Sequence, residues 1–488
     1  MTIDVRKKEG NAETVDPPVP LHKKLAYAAP AFALAVVGIP VYVYVPKFYT
    51  DVVGVHITIL GHLVLAVRVF DAFTDPAIGF LSDRTQTRFG RRRPYIALGS
   101  IALAVTIYLL FNPPDGSPTF ETAWFGIVFF MLFLLWTVVT VPYESLGPEI
   151  TFDYHERTAL FSLRDGALLA GTLAAASSPA AITYLMNLSN DPAGERAKFF
   201  WISIFYIPLV IGFSWWCVLA IKEKGPQVAS KSLDLKKTMT TMLANRPFMI
   251  LLVSYTVSAF GNNLPATLIL YYVEYVLQSQ HADLFLLLYF VFGILFLPAW
   301  LRISHTIGKK RSWILSMCVN TGAFIGVFFL GPGDGHIYGI LVCLSGIGFG
   351  ATLALPSAMQ ADVIDYDELI SGKRREGQYV GLWSVSKKLA AALGVGIALA
   401  VLGVLGYEPG VEQSPHVLLS LRVLYALVPS LCNLAALLIA IIYPISAARH
   451  EDIKRAIAER KSGHSVIDPM DRNRILPPTA IETGDSAM

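Results

Sequence analysis

Charged residues are scarce in this chain. Aspartate, glutamate, lysine and arginine make up 15% of its 488 residues, whereas about 25% is usual for a soluble protein. Hydrophobic residues reach 54%, and the mean hydropathy is +0.54. This composition excludes an ordinary water-soluble fold and predicts an all-α protein that crosses a membrane several times.

Several sequence signatures are also missing. The four cysteines fall in apolar segments without CxxC spacing, so neither a disulfide framework nor a zinc site is indicated. The absence of GxxxxGK[ST] argues against an ATP-driven pump, and the absence of HExxH and GxSxG argues against the familiar hydrolases. A net charge of +3 is too small to indicate nucleic-acid binding. We therefore expect a protein that is not an enzyme and uses no organic cofactor.

Twelve segments are long and apolar enough to cross a bilayer, since a spanning helix needs roughly 20 mostly apolar residues. Turns rich in glycine, proline, asparagine and aspartate separate them, as at Asn112 and Gly331. An even number of spans places both termini on the same side of the membrane. The predicted spans are 26–47, 57–82, 94–112, 122–148, 160–187, 199–221, 247–277, 282–304, 312–331, 336–361, 377–406 and 418–446.

The basic residues indicate which side that is. Of the 39 lysines and arginines, four (Arg68, Arg164, Lys387 and Lys388) lie deep within the spans, and only four (Lys47, Arg196, Lys198 and Arg422) lie in the loops or at the span edges on the side opposite the termini. Lysine and arginine favour the cytoplasmic side, so both termini are expected in the cytoplasm. The predicted organisation is a cytoplasmic tail (1–25), a six-helix bundle (26–221), a central cytoplasmic loop (222–246), a second six-helix bundle (247–446) and a cytoplasmic tail (447–488).

The C-terminal tail divides into two parts. It begins with an amphipathic run from Ala447 to Lys461, whose apolar residues share one helical face. After Ser462 it is polar, with proline and glycine, so we expect this second part to be disordered.

The second span carries two carboxylates in an otherwise apolar stretch. Asp71 and Asp75 are one turn apart and share one face of the helix. Ionisable groups are costly inside a membrane, and they commonly pair, bind a cation or carry a proton. Arg68 could neutralise Asp71, which would leave Asp75 unpaired, and Thr74 would add an oxygen. This pattern favours a site for Na⁺ or H⁺ over a purely structural ion pair.

Polar residues also follow the fourth span at helical spacing. Thr137, Thr140 and Glu144 form one stripe, since positions i, i+3 and i+7 lie on one helix face. The threonines are explained equally well by hydrogen bonds between helices. Glu144 indicates a polar cavity, or else a water-exposed position towards the cytoplasmic end.

The eleventh span holds Trp383, Lys387 and Lys388. The lysines lie about ten residues into the helix, too deep for their ammonium groups to reach the membrane surface easily. A lysine that faces an aqueous cavity opposite the acids of the second span would couple the two halves of the protein.

Charged and polar clusters mark three further places. The segment Gly261 to Pro265 in the seventh span predicts a helix break, which is either a hinge lining a cavity or a simple proline kink. Two clusters at predicted cytoplasmic ends are expected to form salt bridges that close that side. They are Asp83, Arg84, Arg91 and Arg92 after the second span, and the acidic segment from Asp362 and Asp365 to Asp367 and Glu368, with Lys373-Arg374-Arg375, after the tenth.

Two six-helix halves, with the turn Gly79-Phe-Leu-Ser-Asp83-Arg84 to Gly90-Arg91-Arg92, resemble the major facilitator superfamily. Three motifs narrow the resemblance to the melibiose-permease-like glycoside–pentoside–hexuronide:cation symporters. The motifs are Arg68-Val-Phe-Asp71-Ala-Phe-Thr-Asp75-Pro76, Val141-Pro-Tyr-Glu-Ser-Leu and Ala361-Asp-Val-Ile-Asp365-Tyr. The resemblance covers nearly the whole helical region and implies the twelve-helix fold of that superfamily. It also implies cation-coupled uptake of a glycoside by alternating access.

The resemblance, together with the pattern of polar and charged residues, predicts roles for individual residues. Cation binding falls on Asp71, Thr74, Asp75 and Thr137, with Asp71 and Asp75 as the metal ligands if the ion is Na⁺. Substrate contact is assigned to Thr140, Glu144, Arg164, Trp383 and Lys388. Coupling and gating are assigned to Arg68, Asp83, Arg84, Arg91, Arg92, Asp362 and Asp365.

The sugar-binding positions of the family differ in this chain. The family's two sugar-gripping acids fall on Ala35 and Thr140, and its tryptophan falls on Glu144. The loss of both acids argues against a melibiose-like galactoside. The cargo is then another sugar or glycoside or, alternatively, a non-sugar amphiphile such as a lysolipid. A third hypothesis is a sensor or scaffold that does not transport. The expected partners are the substrate, the coupling cation and the lipid bilayer, and the expected working unit is a monomer.

Overall fold

Long helices dominate the computed structural model of the chain, which describes residues 19–151, 154–189, 191–223, 242–243, 245–372 and 375–478. A short helix, α13, and an antiparallel hairpin of strands β1 and β2 follow the bundle. The long helices are α1 (Leu21–Val53), α2 (Ile57–Arg84), α3 (Arg93–Phe111), α4 (Pro118–Ile150), α5 (Tyr154–Leu185), α6 (Pro192–Ala220), α7 (Arg246–Tyr271, extended by Tyr272–Val276), α8 (Ala282–Ile307), α9 (Lys309–Phe328), α10 (Gly335–Ser371), α11 (Glu376–Val404) and α12 (Pro415–Ile441).

The number of helices agrees with the prediction. In the described part of the chain, ten helices are long and apolar enough to cross a membrane. The other two, α7 and α9, pack against α12 in the same bundle. The prediction of an all-α architecture with twelve long helices is confirmed.

Short polar side chains begin four of these helices. Ser117, Asp191, Asn245 and Ser414 each accept a hydrogen bond from the backbone N–H three residues later. Such caps satisfy N–H groups that the first helical turn leaves unpaired. The polar turns of the sequence therefore fix where α4, α6, α7 and α12 start.

Two helices depart from the predicted bounds. Helix α1 passes Pro40 and Pro46 and ends at Val53, with π-helical turns over Pro40–Tyr44 and Tyr49–Val53. Proline has no backbone N–H to donate, and the wider π-helical turn tolerates this missing hydrogen bond, so the helix continues. The break predicted at 261–265 is not observed, because α7 runs through Pro265 and its π-helical turn comes later, at Tyr272–Val276; a proline kink within the continuous helix, the alternative, is compatible with this.

The C-terminal tail contains more structure than predicted. Helix α13 (Ala447–Lys461) covers the amphipathic run, and strands β1 (Val466–Asp468) and β2 (Asp471–Leu476) pair antiparallel. Asp468 is fully buried and accepts hydrogen bonds from the Tyr366 hydroxyl of α10 (3.2 Å) and the Met470 backbone (2.8 Å). The prediction of disorder is therefore wrong for residues 466–476. Their polar composition indicated disorder, but the buried Asp468 carboxylate fixes the segment against α10.

Helices α1–α6 form the N-terminal half and α7–α12 the C-terminal half. We call the end where α1 begins and α12 ends the tail end, and the opposite end the far end. The halves meet where α2 packs on α11 and α5 packs on α8. A side chain at Gly403 would overlap Thr58 and reach within 2.8 Å of its backbone nitrogen, and one at Gly61 would lie 2.9 Å from the Ala400 nitrogen. Glycine is therefore required for the close contact between α2 and α11.

Candidate functional site

Two acids of α2 and a lysine of α11 meet where the halves touch. Lys388 Nζ lies 3.1 Å from Asp71 Oδ2 and is hydrogen-bonded to Asp75 Oδ2. Thr137 of α4 lies beside both acids, with its hydroxyl 2.8 Å from Asp71 Oδ1 and 3.1 Å from Asp75 Oδ1. We call these four residues the acid–lysine centre.

The acid–lysine centre has fewer positive than negative groups. One ammonium group serves two carboxylates, and the single hydroxyl proton of Thr137 cannot donate to both acids at once. Carboxylate and hydroxyl oxygens suit Na⁺ or a proton. Among the described residues there is no cluster of three or more histidine, cysteine or acidic side chains that could hold a metal ion. The chemistry of the centre therefore fits a single small cation better than a transition metal.

Two neighbours of the centre differ from the prediction. Arg68 does not pair with Asp71, because its guanidinium lies 4.1 Å from the ring centre of Tyr42 and 4.4 Å from that of Phe133. Its Nη1 also donates to the Tyr42 hydroxyl (3.1 Å). A guanidinium between two rings gains cation–π stabilisation, which leaves the neutralisation of Asp71 to the lysine. Thr74 donates to the Asp71 carbonyl oxygen (3.0 Å).

A cavity of about 350 Å³ opens between α1, α4 and α5, and we call it the polar cavity after the few polar side chains that reach its mostly apolar wall. Its walls include Trp136, Thr140, Glu144 and Arg164. Thr140 donates to the Trp136 carbonyl (2.9 Å), and Arg164 donates twice to its neighbour Asp165 (2.9 and 2.7 Å). Glu144 is exposed on the wall, and no described residue forms an ion pair or hydrogen bond with it. The structure thus brings together three of the five predicted substrate residues.

The other two lie elsewhere. Trp383 is 8% exposed and stacks on Tyr255 with 4.2 Å between ring centres, and Lys388 belongs to the acid–lysine centre. The sequence analysis missed Trp136, although it continues the helical stripe of Thr140 and Glu144 by one turn. That spacing was the available signal.

A second cavity, the aromatic cavity, lies between α1 and the C-terminal half and has a volume of about 240 Å³. Tyr289, Tyr338 and Tyr425 are among its walls, and Ile39 and Tyr42 of α1 line both this cavity and the polar cavity. The sequence gave no signal for it, because its walls come from six different helices.

Charged and phenolic groups join the halves at the far end. Lys47 Nζ lies 2.7 Å from Asp51 Oδ2 and 2.5 Å from Glu274 Oε2, so it bridges α1 and α7. Asp51 accepts hydrogen bonds from the hydroxyls of Tyr407 (3.0 and 3.1 Å) and Tyr275 (3.3 Å). Burial and the Asp51 carboxylate raise the pKa of Tyr407, so its hydroxyl keeps the proton it donates. We call these five residues the far-end cluster; the i, i+4 spacing of Lys47 and Asp51 was its only trace in the sequence.

The predicted gate residues of α2 and α3 stay within the N-terminal half. Arg92 lies 2.7 Å from both Asp83 and Glu149, and Arg91 also pairs with Glu149. The carboxylate of Glu223, which the sequence analysis missed, accepts hydrogen bonds from the backbone of residues 91–93. Arg84 instead stacks on the Phe80 ring at 3.8 Å.

The predicted gate acids of α10 stay within the C-terminal half. Asp362 lies 2.6 Å from Lys309, and His450 of α13 lies 3.0 Å from Asp365 and 3.4 Å from Asp362. Of the predicted salt bridges to Lys373-Arg374-Arg375, the structure shows the one between Arg375 and Asp367 of the acidic segment; residues 373 and 374 lie outside the described residues. Helix α10 continues to Ser371, so Asp362 and Asp365 share a face that Asp367 does not.

The positions of these contacts define the conformation. Over the described ranges, the hydrogen bonds and ion pairs that join the two halves lie in the far-end cluster, at its neighbours and at the acid–lysine centre. At the tail end, the pairs Arg92–Glu149 and Lys309–Asp362 each lie within one half. The bundle is therefore closed at the far end.

Known proteins share this sequence pattern and this fold. The family model described as MFS/sugar transport protein matches residues 26–447. The chain is 27% identical to a glucuronide carrier protein homolog of Escherichia coli (strain K12), over 85% of this chain and 90% of that one. It is 26% identical to an uncharacterized symporter of Bacillus subtilis (strain 168), over 86% and 91%.

A solved structure has the same fold at low sequence identity. It is a bacterial homologue of the iron transporter ferroportin in an inward-facing state, with a TM-score of 0.64 and 14% identity over 87% of this chain and 99% of that one. The match of the family model covers almost all of the helical bundle. The chain therefore belongs to the family of MFS/sugar transport proteins, as its resemblance to the glycoside–pentoside–hexuronide:cation symporters predicted.

Proposed function

We propose that this chain is a cation-coupled symporter that carries a sugar or glycoside across the cytoplasmic membrane by alternating access. One observation carries the proposal: Lys388 of the C-terminal half forms ion pairs with Asp71 and Asp75 of the N-terminal half. Membership of the family supports the transport function, and the names of the relatives include a symporter and a glucuronide carrier homolog.

The charge of the acid–lysine centre supplies the coupling step. When Na⁺ or H⁺ binds Asp71 and Asp75, it neutralises the carboxylate charge that Lys388 otherwise neutralises. The ion pairs to Lys388 then weaken, and the lysine is released. Release removes an ion pair between the halves, and the halves can then rearrange. The cation and the conformational change are thus linked through one side chain.

Helix α4 links the cation to the sugar. Thr137 contacts both acids, and Thr140 and Glu144 follow it along the same helix into the polar cavity. A sugar needs hydrogen-bond partners for its hydroxyls, and Glu144 offers an acceptor that no described residue occupies. A shift of α4 on cation binding therefore moves sugar-binding groups as well.

The orientation follows from the distribution of lysine and arginine. The tail end, with both termini and the loop at 222–246, is proposed to be cytoplasmic, which makes the described conformation inward-facing. The gate residues of α2, α3 and α10 are proposed to pair across the halves when the tail end closes. The transporter is proposed to work as a monomer without an organic cofactor.

Removal of one acid tests the proposal. Purified protein in proteoliposomes is given a panel of radiolabelled methyl glycosides, with an inward Na⁺ gradient or an inward H⁺ gradient. We expect one of them to be taken up and cation dependence to disappear in Asp75→Asn, which loses a ligand charge but keeps its shape. We expect the loss of gradient-driven uptake to be at least about tenfold, as coupling energies are typically 1–3 kcal/mol.

The matched control is Asp115→Asn, since Asp115 is 90% exposed and pairs only on the far-end surface. It should transport like the wild type, and both variants should elute as monodisperse protein. Full gradient-driven uptake by Asp75→Asn contradicts the proposed cation site. Failure of every glycoside in the panel contradicts the proposed substrate class.

A further inference from the structure

Two basic side chains converge on the tail end of α12. Lys310, at the start of α9, donates from Nζ to the carbonyl oxygens of Ile441 (2.7 Å) and Tyr443 (2.8 Å). Arg449, in the first turn of α13, donates from Nη1 to the carbonyl oxygen of Pro444 (2.7 Å). Both positive groups therefore lie at the last carbonyl groups of α12 and of the turn that follows it.

A third positive charge lies beside them. Arg311 follows Lys310 along α9, is exposed, and its side chain has no hydrogen bond or ion pair with any described residue. Burial and the neighbouring charges of Arg449 and Arg311 lower the pKa of Lys310, which lies just outside the predicted span 312–331. The three cations are thus close enough to repel one another. We call Lys310, Arg311 and Arg449 the basic triad.

The acids of this region are paired elsewhere. Asp362 and Asp365 of α10 are held by Lys309 and His450, the sequence neighbours of two members of the basic triad. Glu451 is two positions away from the nearest member and therefore lies on a different face of α13. No described acid forms an ion pair with a member of the basic triad. Its positive charge is therefore left without a counter-ion from the described part of the chain.

Capping of α12 does not account for the basic triad. A helix C-terminus is commonly stabilised by a cation near its last carbonyls, and Lys310 alone supplies one. Lys310 keeps one of its three N–H donors, Arg449 donates through Nη1 only, and Arg311 keeps all its donors. Free donors on three side chains at one place suit the several oxygens of a phosphate group.

Exposed apolar side chains run from the basic triad along α9 and α12. On α9 they share the face of Arg311 at helical spacing, and on α12 they occupy one side of the helix. They are Leu315, Ile325 and Phe329 on α9, and Leu431, Leu434, Leu438 and Ile441 on α12. The two helices pack on each other, and such exposed apolar faces of a membrane-spanning bundle contact lipid chains. The basic triad therefore lies where the lipid-facing surface reaches the tail end.

We propose that the basic triad binds the phosphate group of an anionic phospholipid of the inner leaflet, whose acyl chains lie on the exposed faces of α9 and α12. Basic pockets at the cytoplasmic ends of membrane helices are suited to anionic headgroups. The phosphate supplies the missing counter-ion, and Arg449 then ties the first turn of α13 to the bilayer. This inference goes beyond the proposed function and takes from it only the cytoplasmic placement of the tail end.

Lipid titration of the full chain tests the proposal. Protein purified in a neutral detergent is given phosphatidylglycerol, phosphatidylcholine or inorganic phosphate; bound lipid is counted by native mass spectrometry, and thermal unfolding is followed in parallel. We expect phosphatidylglycerol to bind at least about tenfold more tightly than phosphatidylcholine, because its net negative charge faces three basic residues. Arg311→Gln should weaken phosphatidylglycerol binding about fivefold, the scale of one basic residue at an anionic surface.

Arg455→Gln is the matched control. Arg455 lies on the same helix as Arg449, its side chain is 72% exposed, and it lies 4.0 Å from Asp452. The substitution removes the same charge and should leave phosphatidylglycerol binding at the wild-type value. A second variant, Arg311→Glu, places an acid beside Lys310 and Arg449. It should unfold at the wild-type temperature or above without lipid, and it should lose the rise in unfolding temperature that phosphatidylglycerol gives the wild type.

The outcomes concern the lipid and not the sugar. Equal binding of phosphatidylcholine and phosphatidylglycerol contradicts recognition of a negative headgroup, and equal weakening by Arg311→Gln and Arg455→Gln contradicts the assignment to the basic triad. If inorganic phosphate raises the unfolding temperature as much as phosphatidylglycerol does, the site takes a free anion and the lipid assignment is overturned. None of these measurements uses a glycoside or a cation gradient, so the proposed function stands or falls separately.

Discussion

The two ends of the bundle use similar side chains for different purposes. At the far end, Lys47 and Asp51 of the N-terminal half bind Glu274 and Tyr407 of the C-terminal half. At the tail end, acids and bases are just as numerous, but Arg92 with Glu149 and Lys309 with Asp362 each stay within one half. The far-end contacts therefore stabilise one conformation, whereas the tail-end contacts stabilise the halves themselves.

This difference has a consequence for the transport cycle. When the far end opens, the far-end cluster must exchange its contacts between the halves for water. When the tail end closes, its acids must exchange partners within a half for partners across the halves. Removing a far-end contact between the halves should therefore shift the conformational equilibrium more than removing a tail-end contact within one half.

The largest effect is expected from Gly403→Val. A side chain at Gly403 overlaps Thr58, including its backbone nitrogen, so α2 and α11 cannot keep their contact. We expect the far end to open and gradient-driven uptake to fall at least about tenfold, because overpacking typically costs 1–3 kcal/mol. Spin labels at Asp115 and Glu412, in a cysteine-free background, should show a longer distance across the far end.

The control for Gly403→Val is Gly212→Val, because nothing lies within 4 Å of a side chain at Gly212. It carries the same β-branched residue in a helix and should keep the wild-type distance distribution. An unchanged far-end distance in Gly403→Val would show that this glycine contact does not hold the halves together.

A smaller effect is expected from Asp51→Asn. The change removes the negative charge that pairs with Lys47 and that accepts from Tyr407, although Glu274 still pairs with the lysine. We expect the closed far end to lose about 1 kcal/mol, the net value of a hydrogen bond, because Glu274 keeps Lys47 paired. The same pair of spin labels should report a larger open fraction.

Glu195→Gln is the matched control for Asp51→Asn. Glu195 pairs with Lys198 at 2.6 Å, near the same end but within one half. It should leave the distance distribution unchanged. If Asp51→Asn and Glu195→Gln open the far end equally, closure depends on the total charge at this end and not on the contact between the halves.

The smallest effect is expected from His450→Gln at the tail end. His450 holds Asp365 and Asp362 to the tail helix, and its loss removes one contact from each acid, although Asp362 still pairs with Lys309. We expect a shift towards tail-end closure of under about 1 kcal/mol, the scale of a partly exposed pair. Spin labels at Phe89 and His305 measure it, with His464→Gln as the control; a shift towards opening would contradict the expected exchange of partners.

Sequence patterns captured the architecture of the bundle and the position of its central charges. The twelve helices follow from apolar length alone, and Asp71, Asp75 and Lys388 stand out because charge is costly in a membrane, whereas the role of Thr137 came from the resemblance. Local spacing also put Thr140 and Glu144 on one face of α4. Each of these inferences needs only the chain's own periodicity.

The remaining features depend on contacts between distant segments. Nothing near Arg68 in the sequence shows that Tyr42 and Phe133 surround it, and Trp383 packs on Tyr255 of another helix. The hairpin at 466–476 is fixed by burial of Asp468 against Tyr366, more than 100 residues away. Periodicity does not encode such partners, so the far-end cluster and the aromatic cavity became visible only in the structure.

The measurement that tests the central claim most directly is cation movement driven by a sugar gradient. Proteoliposomes with equal Na⁺ and equal pH on both sides receive an inward gradient of the methyl glycoside that the protein takes up, and ²²Na⁺ and internal pH are followed. If a cation replaces Lys388 at Asp71 and Asp75 during transport, either Na⁺ or H⁺ must accumulate inside together with the sugar. Asp75→Asn must abolish that accumulation. Equilibration of the sugar with no movement of either ion would contradict the account.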